Sequence, residues 1–296
     1  METPRRVEHQ MTDKGYVPVY TTAVVEQPWA QYSAEDHQTW ATLFKRQQEI
    51  LQDRACPEFL ENQAAMGMNE SQIPKFDDLN VHLKKATGWK LIAVEGLLPE
   101  LDFFMHLKNR EFPVTWWIRR PDQIDYIAEP DLFHDLFGHV PLLMNPIFAD
   151  YMQAYGAGGV RASTFGNEPL SNLTRLYWYT VEFGLINTPK GLRIYGAGIL
   201  SSKGESIHCL ESNAPNRIGF DLSRVMRTRY RIDTYQKTYF VIDSFEQLFR
   251  ATVDPDFGPI YYHLKGAESV PAGTVLDTDT VFNRGTGEGW LTDGDV

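Results

Sequence analysis

Apolar residues recur at helical spacing along much of the chain, and short extended runs separate the helical stretches. Over residues 32–66, Trp40, Leu43, Phe44, Ile50 and Leu51 fall on one stripe, and Ser33 with Asp36 three positions on forms an N-terminal cap. The same periodicity predicts helices over 75–87, 101–109, 221–226 and 245–252, the last capped by Ser244. Residues 89–94, 112–119 and 239–243 predict strands, the first ended by Gly96. Beyond Gly184, glycine-rich turns around Tyr195 to Gly198 break the pattern into short extended pieces. The expected fold is mainly α with short β-strands, in a single catalytic domain over 31–264. An N-terminal arm covers 1–30, and a weakly packed acidic tail covers 265–296.

Composition narrows the function. A chain of 296 residues with 43% hydrophobic and 23% charged positions suits a folded, water-exposed protein. The net charge of −11 argues against a nucleic-acid partner, and Arg227 to Arg231 is too short a basic stretch to reverse that. No apolar run approaches the roughly 20 residues that span a bilayer, and no signal peptide follows Met1. The two cysteines, Cys56 and Cys209, lack Cys-x-x-Cys partners, which points to a reducing cytoplasm.

The richest chemistry lies between Glu129 and Pro141, where His134 and His139 stand five residues apart in an apolar run. In a regular helix that spacing turns the two side chains about 140° apart. His134 is therefore expected inside a short helix starting near Asp131, with His139 just past its end. Gly138 would permit the left-handed turn, and Pro141 would stop the helix from resuming. Downstream, a buried helix over 172–183, capped by Asn172 or Ser171 and stopped by Gly184, carries Glu182 in its last turn. A carboxylate there opposes the helix dipole and needs a cation, either an arginine or a metal. Two imidazoles and a carboxylate suit open-sided iron(II) and catalytic zinc equally. The zinc reading lacks an H-E-x-x-H motif. Read alone, each histidine could equally be a core residue.

With EPDxxHxxxGHVP at 129–141, YWYTVEFGL at 177–185 and YGAGILSS at 195–202, the chain resembles the pterin-dependent aromatic amino acid hydroxylases over about residues 30–262. That resemblance implies a non-haem iron(II) held by His134, His139 and Glu182, and it implies a tetrahydropterin. Oxygen and L-phenylalanine would be co-reactants and L-tyrosine the product. In the family, iron and pterin together reduce oxygen and the aromatic ring is hydroxylated. Tryptophan as substrate, a zinc hydrolase and a non-enzymatic iron-binding protein are the competing readings.

The resemblance also implies individual roles. Arg119 would pair with the substrate carboxylate, and Pro130, Trp178 and Phe183 would wall the substrate pocket. Ser201 would support the first histidine, with Asp135 beside it standing where animal members carry glutamate. Phe103 would stack on the pterin, with Gly96, Leu97 and Leu98 lining its loop. Ile127 replaces a threonine of animal members. The regulatory domain and tetramerisation helix of those members have no counterpart here, so a monomer is expected.

Overall fold

Ser33 opens the first long helix as its sequence predicts. Its hydroxyl accepts from the Asp36 N–H at 3.1 Å, and the Asp36 carboxylate accepts from the Ser33 N–H at 2.9 Å. The computed structural model describes residues 10–12, 15–17, 24–232, 234–253 and 258–290. Much of the expected N-terminal arm and the last six residues of the tail lie outside these. Upstream of the cap, β1 (Gln10–Thr12) and β2 (Gly15–Val17) form an antiparallel hairpin, and β3 (Val24–Val25) joins a sheet edge. Residues 24–31 are thus anchored instead of forming an arm: Gln27 and Trp29 donate to the carbonyls of Pro74 and Ile73 at 3.0 and 2.8 Å.

The single helix expected over 32–66 is two helices, α1 (Ala34–Leu51) and α2 (Pro57–Ala65). Pro57 explains the break, because it forces Cys56 into extended backbone and is tolerated only in a first helical turn. The gap makes a β-bridge. Cys56 N–H donates to Ile194 O, and Ile194 N–H donates to Arg54 O, both at 2.8 Å. Next, α3 (Phe76–Ala86) places acids in its first turn and lysines in its last, matching its dipole.

A βαβ unit then builds one wall of the site. β4 (Lys90–Val94) runs through α4 (Glu100–Lys108) to the parallel β5 (Glu111–Thr115), and β3 pairs with the outer edge of β4. The strand expected over 112–119 ends early because carboxylates divert its N–H groups. Thr115 N–H donates to Asp135 at 2.7 Å, and Arg119 N–H donates to Asp131 at 2.9 Å.

The second half of the chain begins with α5 (Pro146–Ala162) and α6 (Asn167–Tyr177). The helix expected from 172 starts five residues sooner, behind Gly166, whose φ of 104° only glycine adopts readily. A five-stranded sheet follows, ordered β10-β8-β9-β6-β7. Its members are β6 (Leu185–Thr188), β7 (Gly191–Ile194), β8 (Asn216–Gly219), β9 (Thr238–Ile242) and β10 (Val281–Asn283). Of the helices interleaved with these strands, α8 (Lys203–Glu211) and α10 (Phe245–Val253) touch the sheet, α7 (Ala197–Leu200) packs on the segment around His134 and His139, α9 (Leu222–Arg227) packs on α6, and α11 (Gly258–Leu264) packs on α9. As expected, Ser244 caps α10, accepting from Gln247 N–H at 3.1 Å.

The described part of the tail, 265–290, is anchored at several points. β10 pairs antiparallel with β8, Val270 and Ala272 are buried, and Asp279 forms a buried ion pair with Arg224 at 3.0 Å. Polar anchors, not an apolar stripe, hold it, so periodicity misses them. The whole is mainly helical with short strands. No helix among the described residues is long and apolar enough to cross a membrane.

Candidate metal and substrate site

His139 does not leave its helix. Residues His134–His139 wind as a π-helix, in which each backbone bond reaches five residues on instead of four. That winding brings residue i+5 over residue i, so a spacing awkward for an α-helix places both imidazoles on one side. Gly138 is not left-handed. It is required for another reason: a Cβ there would lie 2.8 Å from the Ala197 carbonyl. The His134–His139 segment therefore packs backbone to backbone on α7. Its other side is fixed by rings, with Phe133 stacked on Phe137 at 4.8 Å and Phe44 of α1 edge-on to Phe137 at 5.3 Å.

Glu182 also ends a π-turn, Trp178–Glu182, closed by Phe183 N–H donating to Trp178 O at 2.9 Å. The widened turn delivers the carboxylate to the histidines. His139 Nε2 lies 3.1 Å from Glu182 Oε1, His134 Nε2 lies 3.6 Å from Oε2, and the two Nε2 atoms are 3.2 Å apart. Candidate ligand atoms of all three residues lie within 4.8 Å of one another. Gly198 N–H donates to the same carboxylate, and a Cβ on Gly198 would come within 3.1 Å of Oε2. One glycine-rich turn thus fits against both ligand-bearing segments.

The protonation states suit a cation. Ser201 Oγ donates its one proton to Ala197 O at 2.9 Å, so at 2.8 Å it must accept from His134 Nδ1–H. This fixes the tautomer with the Nε2 lone pair facing the cluster. Burial lowers the His134 pKa to about 4, and His139 also disfavours the charged ring, so His134 is neutral at neutral pH. Burial works against the Glu182 carboxylate, while protonated imidazoles at His139 and His134 would hold it below its usual range. A neutral His134 cannot supply that charge. A divalent cation among the three groups resolves the conflict, and the donor set fits iron(II).

Behind the histidines, Asp131 organises the entry. Its fully buried carboxylate accepts from Arg119 Nε at 2.8 Å and Nη2 at 2.9 Å, and from the His134 N–H at 3.0 Å. Burial raises the Asp131 pKa, but the Arg119 fork and these N–H groups outweigh it and hold the carboxyl below its usual range. Asp131 was missed in the sequence. Its signal was present: an acid three residues before His134, at a helix start. Burial pushes the neighbouring Asp135 carboxyl up to about 7, against the pull of His139 and the Thr115 N–H.

Trp178 packs against two rings, Tyr230 stacked on it at 4.5 Å and Phe183 tilted against it at 4.8 Å. Phe103 on α4 meets Tyr177 edge-on at 5.7 Å, and Tyr177 in turn lies along the His139 ring at 6.3 Å. Gly96, Leu97 and Leu98 form the loop into α4. Pro130 is half-buried beside Asp131, and Ile127 is half-buried in the same loop. Tyr177 and Tyr230 are further aromatics that sequence reasoning left unassigned. A cleft of about 490 Å³ opens beside Tyr230, between Glu100 of α4 and Ser171, Thr174 and Arg175 of α6.

This fold and donor set define a class. The sequence profile described as biopterin-dependent aromatic amino acid hydroxylase matches residues 17–253, and the chain belongs to that family. Within it, the chain is 62% identical over 270 residues to the phenylalanine-4-hydroxylase of Chromobacterium violaceum, covering 91% of this chain and 90% of that one. The structure of that bacterium's enzyme with iron and phenylalanine bound matches at a TM-score of 0.83 and 61% identity, over 88% of this chain and 93% of the other. Another, holding iron(III) and the oxidised cofactor 7,8-dihydrobiopterin, matches at 0.84 and 59% identity, over 90% and 95%.

Proposed function

We propose that this chain hydroxylates L-phenylalanine to L-tyrosine, using molecular oxygen, a tetrahydropterin and iron(II) held by His134, His139 and Glu182. The observation that carries the reading is the convergence of two imidazole Nε2 atoms and one carboxylate from two π-wound segments. The relative at 62% identity is a phenylalanine-4-hydroxylase, which favours phenylalanine over tryptophan. Membership of a biopterin-dependent family likewise displaces the zinc-hydrolase and iron-holding readings of the same ligands.

When bound, iron(II) and the pterin supply the reductive activation of oxygen that ring hydroxylation needs. The chain's own residues supply position and dryness. Three protein ligands leave an octahedral ion three open positions. Ser201 holds His134 in the ligating tautomer. Arg119 Nη1, the guanidinium nitrogen that Asp131 leaves over, would meet the substrate carboxylate, while Asp131 keeps the fork from rotating. Trp178, backed by Tyr230, Phe183 and Pro130 would wall the aromatic ring. Phe103, with the 96–98 loop, would face the pterin, and a stacking face there contributes about 0.5–1.5 kcal/mol beyond burial.

The site works from one protomer's residues, and we place the enzyme in the cytoplasm as a monomer. Two free, buried cysteines support a reducing compartment. The deciding assay is anaerobic reconstitution with iron(II), then addition of phenylalanine or tryptophan with a tetrahydropterin and air. Tyrosine should form at a higher kcat/KM than hydroxytryptophan. Loss of the pterin requirement, or preference for tryptophan, would refute the reading.

A further inference from the structure

A surface cavity of about 580 Å³ is lined by none of the residues assigned above. Its volume is in the range of small-molecule sites. Three guanidiniums enter it from separate elements: Arg54 after α1, Arg193 on β7 and Arg217 on β8. In a chain of net charge −11 this clustering runs against the overall balance.

The three are not equally engaged. Arg54 is committed, donating to Glu211 through Nε at 2.8 Å and also through Nη2, and to Ile50 O at 2.7 Å. Arg193 donates only to the carbonyl of its neighbour Leu192, at 2.8 Å, and meets no carboxylate among the described residues. Arg217 is 5% exposed and donates through Nε to Cys209 O at 2.6 Å and through Nη2 to Ser212 O at 2.7 Å. Those bonds close the C-terminal end of α8 and account for two of its nitrogens. The third, Nη1, has no hydrogen bond yet is not sealed from the cavity. A cation this buried with no carboxylate in contact is short of a counter-charge, and burial lowers its pKa accordingly.

The cleft is also held in shape. The paired backbone bonds between Arg54, Cys56 and Ile194 tie the segment bearing Arg54 to the strand bearing Arg193. Of the two lining acids, Glu211 is occupied by Arg54 and Asp53 is exposed. Leu192 and Leu210 add apolar surface.

We propose that this cleft binds a small organic or inorganic oxyanion, a carboxylate or a phosphate, between Arg217 Nη1 and the Arg193 guanidinium. Planar forks of this kind match both anions. The site is separate from the hydroxylation chemistry, so its test reads binding and not turnover. Isothermal titration of the iron-loaded chain with inorganic phosphate and with succinate, each against chloride at equal ionic strength, gives the affinity. At least one of the two should bind saturably, and which one does assigns the class. Arg193→Glu should weaken that binding by tenfold or more, Arg193→Gln by less, and Arg120→Glu, a surface control, should leave it unchanged. Iron content reports that each variant is folded. No binding by either anion beyond chloride, or binding that survives Arg193→Glu, would overturn the proposal.

Discussion

Charge and geometry separate at Arg119. Its fork is locked on a fully buried Asp131, whereas Arg120, one residue on, is exposed and pairs with Asp122. Lysine at 119 keeps the charge but cannot bond Asp131 through two nitrogens while presenting a third to substrate. Arg119→Lys should raise the phenylalanine KM by about tenfold, equivalent to 1.4 kcal/mol, and Arg120→Lys should be nearly silent in the same steady-state assay. Equal effects would remove Arg119 from substrate binding. Ser201→Ala tests the tautomer argument: iron affinity, measured by chelator competition, should fall by roughly tenfold or more. Unchanged affinity would mean that the hydroxyl only packs. At this scale the sequence was informative where chemistry was unusual. His134, His139 and Glu182 stood out because imidazoles and a carboxylate interrupt apolar runs. Asp131 did not, because an acid in a Pro-Asp loop looks like any surface turn until its burial is known.

Elements were legible where one signal dominated. The Ser33 cap, α3, α4 and β9 follow from capping and periodicity. The π-turns did not show. A one-residue widening leaves apolar spacing almost unaltered, so the five-residue interval looked like a helix end. The break at Pro57 was missed because the apolar stripe resumes beyond it. Another buried acid gives an element-scale prediction. Glu205 on α8 accepts from Gln236 N–H at 3.1 Å and from the Tyr239 hydroxyl on β9, and burial pushes its carboxyl up to about 7. The folded state thus holds this proton more tightly than the unfolded chain, whose value is near 4.5. By linkage the contribution is full below about pH 4.5 and is lost as pH rises through 7. The loss is on the order of 3 kcal/mol. Glu205→Gln keeps an acceptor without titrating, so its Tm should fall less than wild type between pH 5 and 8. Parallel Tm profiles would show that Glu205 does not couple α8 to β9 through its proton.

For the whole molecule, periodicity predicts the mainly helical chain with short strands that is observed, whereas the described part of the acidic C-terminal stretch is better anchored than its composition suggests. That stretch adds the edge strand β10 to the five-stranded sheet and buries Asp279 against Arg224. Among the described residues, exposed large apolar side chains such as Tyr126, Ile232 and Tyr262 are spread along the chain. Light scattering at micromolar concentration should therefore return a mass near 34.0 kDa; a dimer or tetramer mass would reveal an interface on this surface. The iron site gathers residues from two halves of the chain, and one measurement probes that convergence most directly. Iron content and tyrosine formation should be determined for Glu182→Gln beside wild type after identical anaerobic reconstitution. Wild type should retain about one iron per chain, as three protein ligands require, and form tyrosine. The variant, with a neutral amide in place of the carboxylate, should lose most of its iron and form none. Full iron and full activity in Glu182→Gln would contradict the assignment of the site.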